Sequence, residues 1–291
     1  MMSKSIFSSQ FWENQWRNDP NTSLKKMKRA GLGSYDSPGF EKWAINYDRQ
    51  SFSKDGKART ERIIKWIEQQ IPSFNHMTIL DVGAASGVFS VPFAQRGASV
   101  TAVEPSPLLS ELLIKNATTY DVDVNVMTAA FENKTATEIG HHDFVFASMC
   151  PAVTDWEAVQ KALKIANKYV YVSLMAGPKE NKLVDELIEQ FNLQSVPTTA
   201  DMYYLLQLLY VNNYTYQTLI ERHTKTTDMT LTDVMNQLPT WFTDFDIAVS
   251  TAMLNDIQHY LQDKYGTTIP VTTGGKFGKV LIHAKEGDHH D

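Results

Sequence analysis

The run Ile79-Leu80-Asp81-Val82-Gly83-Ala84-Ala85-Ser86-Gly87-Val88-Phe89 constrains this chain more than any other stretch. It reads as a buried strand that ends on an acidic residue, turns through glycine and opens into a helix. A second strand, Ala98 to Val103, ends at Glu104. A strand, a glycine turn, a helix and a second strand closed by a carboxylate form a pocket for a nucleoside cofactor. Glycine lacks Cβ and tolerates positive φ, so the backbone can approach a ligand closely. The helix start offers unpaired N–H groups and a partial positive charge. Glu104 can accept hydrogen bonds from both ribose hydroxyls.

The chemistry of the turn narrows the cofactor. A dinucleotide fingerprint needs glycine at the first, third and sixth positions; here those are Gly83, Ala85 and Val88. No Gly-Lys-Ser/Thr follows, so a phosphate-cradling loop is also missing. The run resembles motif I of class I S-adenosylmethionine-dependent methyltransferases, Asp/Glu-x-Gly-x-Gly-x-Gly. Asp81, Gly83 and Gly87 match it, and Ala85 stands at the middle glycine. Asp81 would repel a pyrophosphate, whereas it attracts the ammonium of S-adenosylmethionine.

The resemblance implies a set of cofactor contacts. Asp81, Gly83, Ala84, Ala85 and Gly87 line the methionine end, Glu104 holds the ribose, and Pro105 and Ser106 shape the adenine edge. Phe131 lies beside the base and Glu132 accepts from its exocyclic amine, in the segment where the family places its adenine contact. Ser148 and Met149, leaving the fourth strand, contact the methionine moiety. Trp43, Tyr47 and Arg59 precede the core, in the region that folds over the cofactor, and Tyr47 or Trp43 faces the sulfonium. Trp43, Tyr203 and Tyr204 are candidate acceptor contacts. No catalytic residue is assigned, since methyl transfer needs mainly alignment and exclusion of water. The product is S-adenosylhomocysteine.

Strands alternate with helices through the middle of the chain, which implies an α/β, doubly wound, mostly parallel sheet. Strands are expected near 77–82, 98–104, 122–126, 143–148, 169–174, 214–220 and 278–284. Gly177-Pro178 is expected to break the chain. Helices are expected near 40–47, 56–70, 155–167, 180–191, 202–210, 231–238 and 244–264, with others on either side of the second strand. The family resemblance implies seven strands in a Rossmann-like sheet, the last inserted antiparallel between the fifth and sixth, with N-terminal helices. Residues 1–38 read as a polar, irregular N-terminal arm, 39–291 as the methyltransferase domain, and 179–276 as the source of a helical substrate cap.

Composition limits the partners. Over 291 residues the net charge is −6, with 43% hydrophobic and 21% charged residues. That balance argues against nucleic acid or an anionic membrane. The basic cluster Lys25-Lys26-x-Lys28-Arg29 is either a solvated face or an electrostatic handle for an acidic substrate or RNA. The single cysteine, Cys150, excludes an internal disulfide and reads as a packed thiol rather than a nucleophile. No apolar run reaches the ~18 residues of a membrane span, and no signal-peptide core is visible, so a cytoplasmic enzyme is expected. His141-His142 and His289-His290 lack metal-ligand spacing and read as surface residues, with no metal expected. His223 is a candidate base or an exposed loop histidine. The reading is transfer of a methyl group to a small-molecule acceptor. The alternatives are an aminopropyl transferase on the same fold and a non-catalytic cofactor-binding scaffold; RNA and protein acceptors, and a homodimer, stay open.

Overall fold

The computed structural model describes residues 6–29, 31, 34–37, 39–196 and 201–284. The His289-His290 pair lies outside them. Four helices come first: α1 (Ser9–Asn18), α2 (Ser23–Arg29), α3 (Phe40–Ser51) and α4 (Lys54–Glu68). The alternating core follows as β1 (Thr78–Val82), α5 (Ser90–Gln95), β2 (Ser99–Glu104), α6 (Pro107–Thr119), β3 (Val124–Thr128), α7 (Ala136–Ile139), β4 (His142–Ser148), α8 (Trp156–Ile165) and β5 (Ala166–Asn181). The last part contains α9 (Lys182–Gln190), α10 (Asp201–Val211), β6 (Tyr216–Thr230), α11 (Leu231–Asp244), α12 (Thr251–Tyr265) and β7 (Thr268–His283).

The strands form one seven-stranded sheet in the order β3-β2-β1-β4-β5-β7-β6. Strands β1 to β5 pair in parallel, and β7 runs antiparallel between β5 and β6. Alternation along each strand divides the core in two. Leu80, Val82, Val145, Val170, Val172 and Ile282 face α8, α10 and Trp16 of α1. Ile79, Val100, Phe144, Phe146, Tyr171 and Leu281 face α4 and α5. Because the connection after β1 runs outward to β2 and the connection after β4 runs the opposite way to β5, a cleft opens at the carboxyl ends of β1 and β4.

Several expectations needed correction. The segment expected to be an irregular arm contains α1 and α2, and Trp16 is buried at 2% exposure. Its indole N–H donates to Asp201 at 3.2 Å, and Tyr204 O–H donates to Asp19 at 2.8 Å, so α1 is fixed to α10. Gly177-Pro178 does not end β5. The strand continues to Asn181, with the ladder irregular between Met175 and Lys179; proline, having no N–H, occupies the unpaired stretch. Helix α11 runs through Pro239 to Asp244, and a break precedes α12 at Thr251.

The helices drawn from 179–276 do not cap the cleft. Helices α9, α11 and α12 pack Leu187, Val234, Leu238, Phe242, Ile257 and Leu261 against Ile269 and Val271 of β7. They clothe the part of the β5–β7–β6 sheet that projects beyond the parallel strands, where two long antiparallel strands would otherwise expose an apolar face.

Candidate active site

The turn after β1 is held by short-range hydrogen bonds. Gly83 and Ala84 N–H both donate to Val103 O, at 2.8 and 3.2 Å, and Gly87 N–H donates to Ala84 O at 2.9 Å. Gly83 and Gly87 adopt φ of 68° and 86°. A Cβ on Gly83 would also collide with Cys150 Sγ. Glycine is therefore needed there for both conformation and clearance.

Backbone strain marks the same place independently. Seven non-glycine residues among those described have positive φ, and five of them are Asn, Asp or His, which tolerate that region best. The other two are Ala85 at 49° and Met149 at 50°. Both line one cavity of about 530 Å³ at the carboxyl ends of β1, β2 and β4. Strain of this kind persists where surrounding structure enforces it, often at functional sites.

Glu104 is the buried charge of this cavity, 5% exposed. Its Oε2 accepts from Ala85 N–H and its Oε1 from Ser106 N–H, both at 2.9 Å. Burial raises its pKa, opposed by these two N–H groups. Ser106 does not line the cavity; its Oγ accepts from Leu109 N–H at 3.2 Å and caps α6. That cap aims Ser106 N–H at Glu104.

Asp81 lies beneath the turn and not on the cavity wall, at 2% exposure. Ser90 Oγ donates to its Oδ2 at 2.6 Å. Burial, with a smaller push from Glu104, raises its pKa to about 7. Gly87 and Ala84 likewise shape the turn from behind without lining the cavity.

The cavity joins most of the expected residues. Gly83, Ala85, Glu104, Pro105, Phe131, Glu132, Ser148 and Met149 line it, with Trp43 and Tyr47 from α3. Phe131 is buried and Glu132 exposed, and Lys161 Nζ sits 4.1 Å from the Phe131 ring centroid. Met149 N–H donates to Ser173 Oγ at 3.0 Å, and Ser173 in turn meets Ser148 Oγ at 3.1 Å. Cys150 is buried beside Gly83, and burial pushes its thiol up to about 12. It is therefore a protonated, packed thiol.

Three expected contacts lie elsewhere. Arg59 is an exposed residue of α4 outside the cavity wall, although it opposes the burial that raises the Tyr47 pKa. Tyr203 packs edge-on against Trp12, and Tyr204 stacks on Trp16. Their helix, rich in tyrosine, serves the α1–α10 interface and not the cavity. His223 is also off the wall, between Arg62 Nη2 at 3.5 Å and Glu221 Oε2 at 3.7 Å.

Beyond Trp43 and Tyr47, the roof was missed. Met27, Ser34, Tyr35, Ser37, Gly39 and Phe40 close the cavity from the N-terminal side. Phe40, Trp43 and Tyr47 form a continuous aromatic row, with ring centroids 5.4 and 5.2 Å apart. A relay pins α3 over the turn: Asn116 Nδ2 donates to Asp48 Oδ1 at 2.8 Å and to Ser86 O at 2.9 Å. The i, i+3, i+7 spacing of the aromatics in sequence is a helical stripe, but it does not reveal which surface the stripe meets.

The sheet order is the one implied by the motif, and the cavity stands where an open α/β sheet binds its ligand. Residues 79–170 match the family model described as a methyltransferase domain. Residues 79–170 thus carry a methyltransferase domain, set within a sheet of this order. The chain is similar to the solved YcgJ protein from Bacillus subtilis, with 14% identity and a TM-score of 0.48 over 78% of this chain and 100% of that one. It is also similar to the magnesium protoporphyrin IX methyltransferase ChlM from Synechocystis PCC 6803 with bound SAM, with 13% identity and a TM-score of 0.41 over 92% and 96%. A precorrin-6y C5,15-methyltransferase from Geobacter metallireducens GS-15 shows 10% identity and a TM-score of 0.43 over 79% and 88%. These values are too low to bear on the acceptor or on any residue's role. No curated protein matches the sequence. Among the described residues, no helix is long and apolar enough to cross a membrane, and no group of His, Cys, Asp and Glu could hold a metal.

Proposed function

We propose that this chain transfers the methyl group of S-adenosylmethionine to a small-molecule acceptor in the cavity between the β1–β4 carboxyl ends and α3. The observation that carries this reading is Glu104: a buried carboxylate facing a cavity, held by two backbone N–H groups and positioned for a ribose diol. The cofactor supplies an electrophilic methyl on sulfonium and its own leaving group. Gly83, Ala85, Ser148 and Met149 take the methionine end, and Pro105, Leu109, Phe131 and Glu132 the adenine end. Asp81 acts through the turn, as a buried carboxylate that favours a nearby ammonium. The roof formed by Met27, Ser34, Tyr35, Ser37, Gly39, Phe40, Trp43 and Tyr47 excludes water, and it takes the covering role that the 179–276 segment was expected to have. In this organisation the N-terminal segment is part of the methyltransferase unit.

Calorimetric titration with S-adenosylmethionine and S-adenosylhomocysteine, with NAD as control, tests this. Micromolar binding of the first two is expected. Glu104→Ala should weaken it by about 1–3 kcal/mol, the scale of a charge-assisted hydrogen-bond pair. A folded protein silent towards both ligands and free of copurified nucleoside would overturn the reading.

A further inference from the structure

The walls of the cavity divide by chemistry. Its charged lining residues, among those described, are Glu104 and Glu132, both on the β1–β3 side. The other side is built by Met27, Tyr35, Phe40 and Trp43 of the roof and by Met149 and Pro151 after β4. None of these six carries a charge. Three of them stay open to solvent although they are large and apolar: Tyr35 is 46% exposed, Trp43 51% and Met149 46%. Apolar side chains exposed together at a cavity mouth mark a surface made to be covered.

Lys161, beside the wall, is turned to the Phe131 ring and Phe131 O, and the basic residues of α2 are engaged as well. Lys26 is buried, pairs with Asp246 at 3.3 Å and donates to Asp244 O at 3.1 Å. Arg29 pairs with the same Asp246 at 3.2 Å. Lys25 donates to Asp19 O at 2.8 Å. The basic cluster of the sequence thus fastens α2 to the fold and to the segment after α11. An anionic acceptor entering the cavity would meet two carboxylates and no described cation on the protein wall, leaving the cofactor sulfonium alone to offset its lost hydration.

We infer that the acceptor is a neutral, flat, largely apolar molecule, received between the Phe40–Trp43 face of α3 and the Met149–Pro151 turn. This rests on the cofactor reading above. Aromatic rings offer stacking and edge contacts to a planar guest, and methionine adapts its thioether to such a ring. The charge distribution disfavours RNA, whose phosphates need basic contacts.

The test uses the full chain saturated with S-adenosylhomocysteine and three probes at neutral pH, read by calorimetry: 2-naphthol, 2-naphthoate and a single-stranded RNA oligomer. The expected result is saturable 2-naphthol binding, with 2-naphthoate and RNA at least about tenfold weaker. Phe40→Ala and Tyr35→Ala, at roof positions outside the buried core, should each weaken 2-naphthol by about three- to tenfold. S-adenosylhomocysteine affinity, measured in parallel, should hold in both variants. Equal or tighter binding of 2-naphthoate or RNA overturns the inference. So does failure of 2-naphthol to bind a protein that binds S-adenosylhomocysteine, which leaves the cofactor reading standing. Variants that lose S-adenosylhomocysteine as well would make these residues cofactor contacts and also overturn it. A protein that binds no S-adenosylhomocysteine fails at the earlier step.

Discussion

Ser173 holds Met149 from two directions: the Met149 N–H lies 3.1 Å from Ser173 O and 3.0 Å from Ser173 Oγ. A residue midway along β5 thereby fixes a left-handed residue just past the end of β4. Ser173→Ala removes one acceptor and leaves the other. We expect it to reduce stability by about 1 kcal/mol, visible as a drop of a few degrees in thermal unfolding. An unchanged transition would mean that Ser173 O alone holds the turn.

The strain at Ala85 and Met149 should be recoverable. Left-handed backbone costs a residue with Cβ on the order of 1 kcal/mol relative to glycine. Ala85→Gly is therefore expected to raise the unfolding free energy by about that amount, against a smaller entropic cost in the unfolded chain. Urea denaturation measures it; a loss of stability would show that Ala85 is not strained.

Gly83 and Cys150 should be energetically coupled. Gly83→Ala introduces a Cβ against Cys150 Sγ in addition to the backbone penalty. Cys150→Ala removes the colliding atom and leaves the backbone penalty. The Gly83→Ala cost should be smaller in the Cys150→Ala background by about 1 kcal/mol, within the range seen for contacting pairs. Additive effects in a double-mutant cycle would place the two residues apart.

Asp81 should impose a pH dependence on stability. Its folded pKa is about 7, against 3.8 unfolded, because burial disfavours the charge. Between these values the folded state keeps a proton that the unfolded state has released, so stability falls as pH rises. Its contribution is on the order of 4 kcal/mol at full ionisation. Asp81→Asn should flatten this part of the profile from pH ~4 to ~7. The ammonium of a bound cofactor favours the carboxylate, so affinity should rise with pH over the same window. A variant with the wild-type slope would assign the titration to another group.

Asn116 should govern the roof. Asn116→Ala removes its links to Asp48 and Ser86, leaving the packing of α3 on α4 and α6. Amide exchange across residues 40–51 should accelerate while the core strands stay protected. Uniform exchange with wild type would make the relay incidental.

The cavity wall at the ends of β1 and β2 was legible because its signals are local. Asp81, Gly83 and Glu104 belong to one βαβ unit whose spacing repeats its geometry. Ser106 was expected at the adenine edge; it lies off the cavity wall, where it caps α6 and directs its N–H at Glu104. The roof was not legible, because its position depends on contacts such as Trp16 to Asp201, 185 residues apart. Tyr203 and Tyr204 looked like a ligand wall for the same reason: an aromatic helix reads alike whether it meets a ligand or another helix. Met149 gave no signal of its left-handed backbone, since methionine is not a residue chosen for that conformation.

The fastening of the N-terminal segment sets an order of events during synthesis. A ribosome releases α1 and α2 first, yet their anchors, Asp201 and Asp246, emerge much later; Arg29 and Asp246 are 217 residues apart. The nascent chain can assemble β1 to β5, with α3 pinned by Asn116, while α1 and α2 still lack these anchors. The newborn protein thus completes its lid after its floor, although the lid is encoded first.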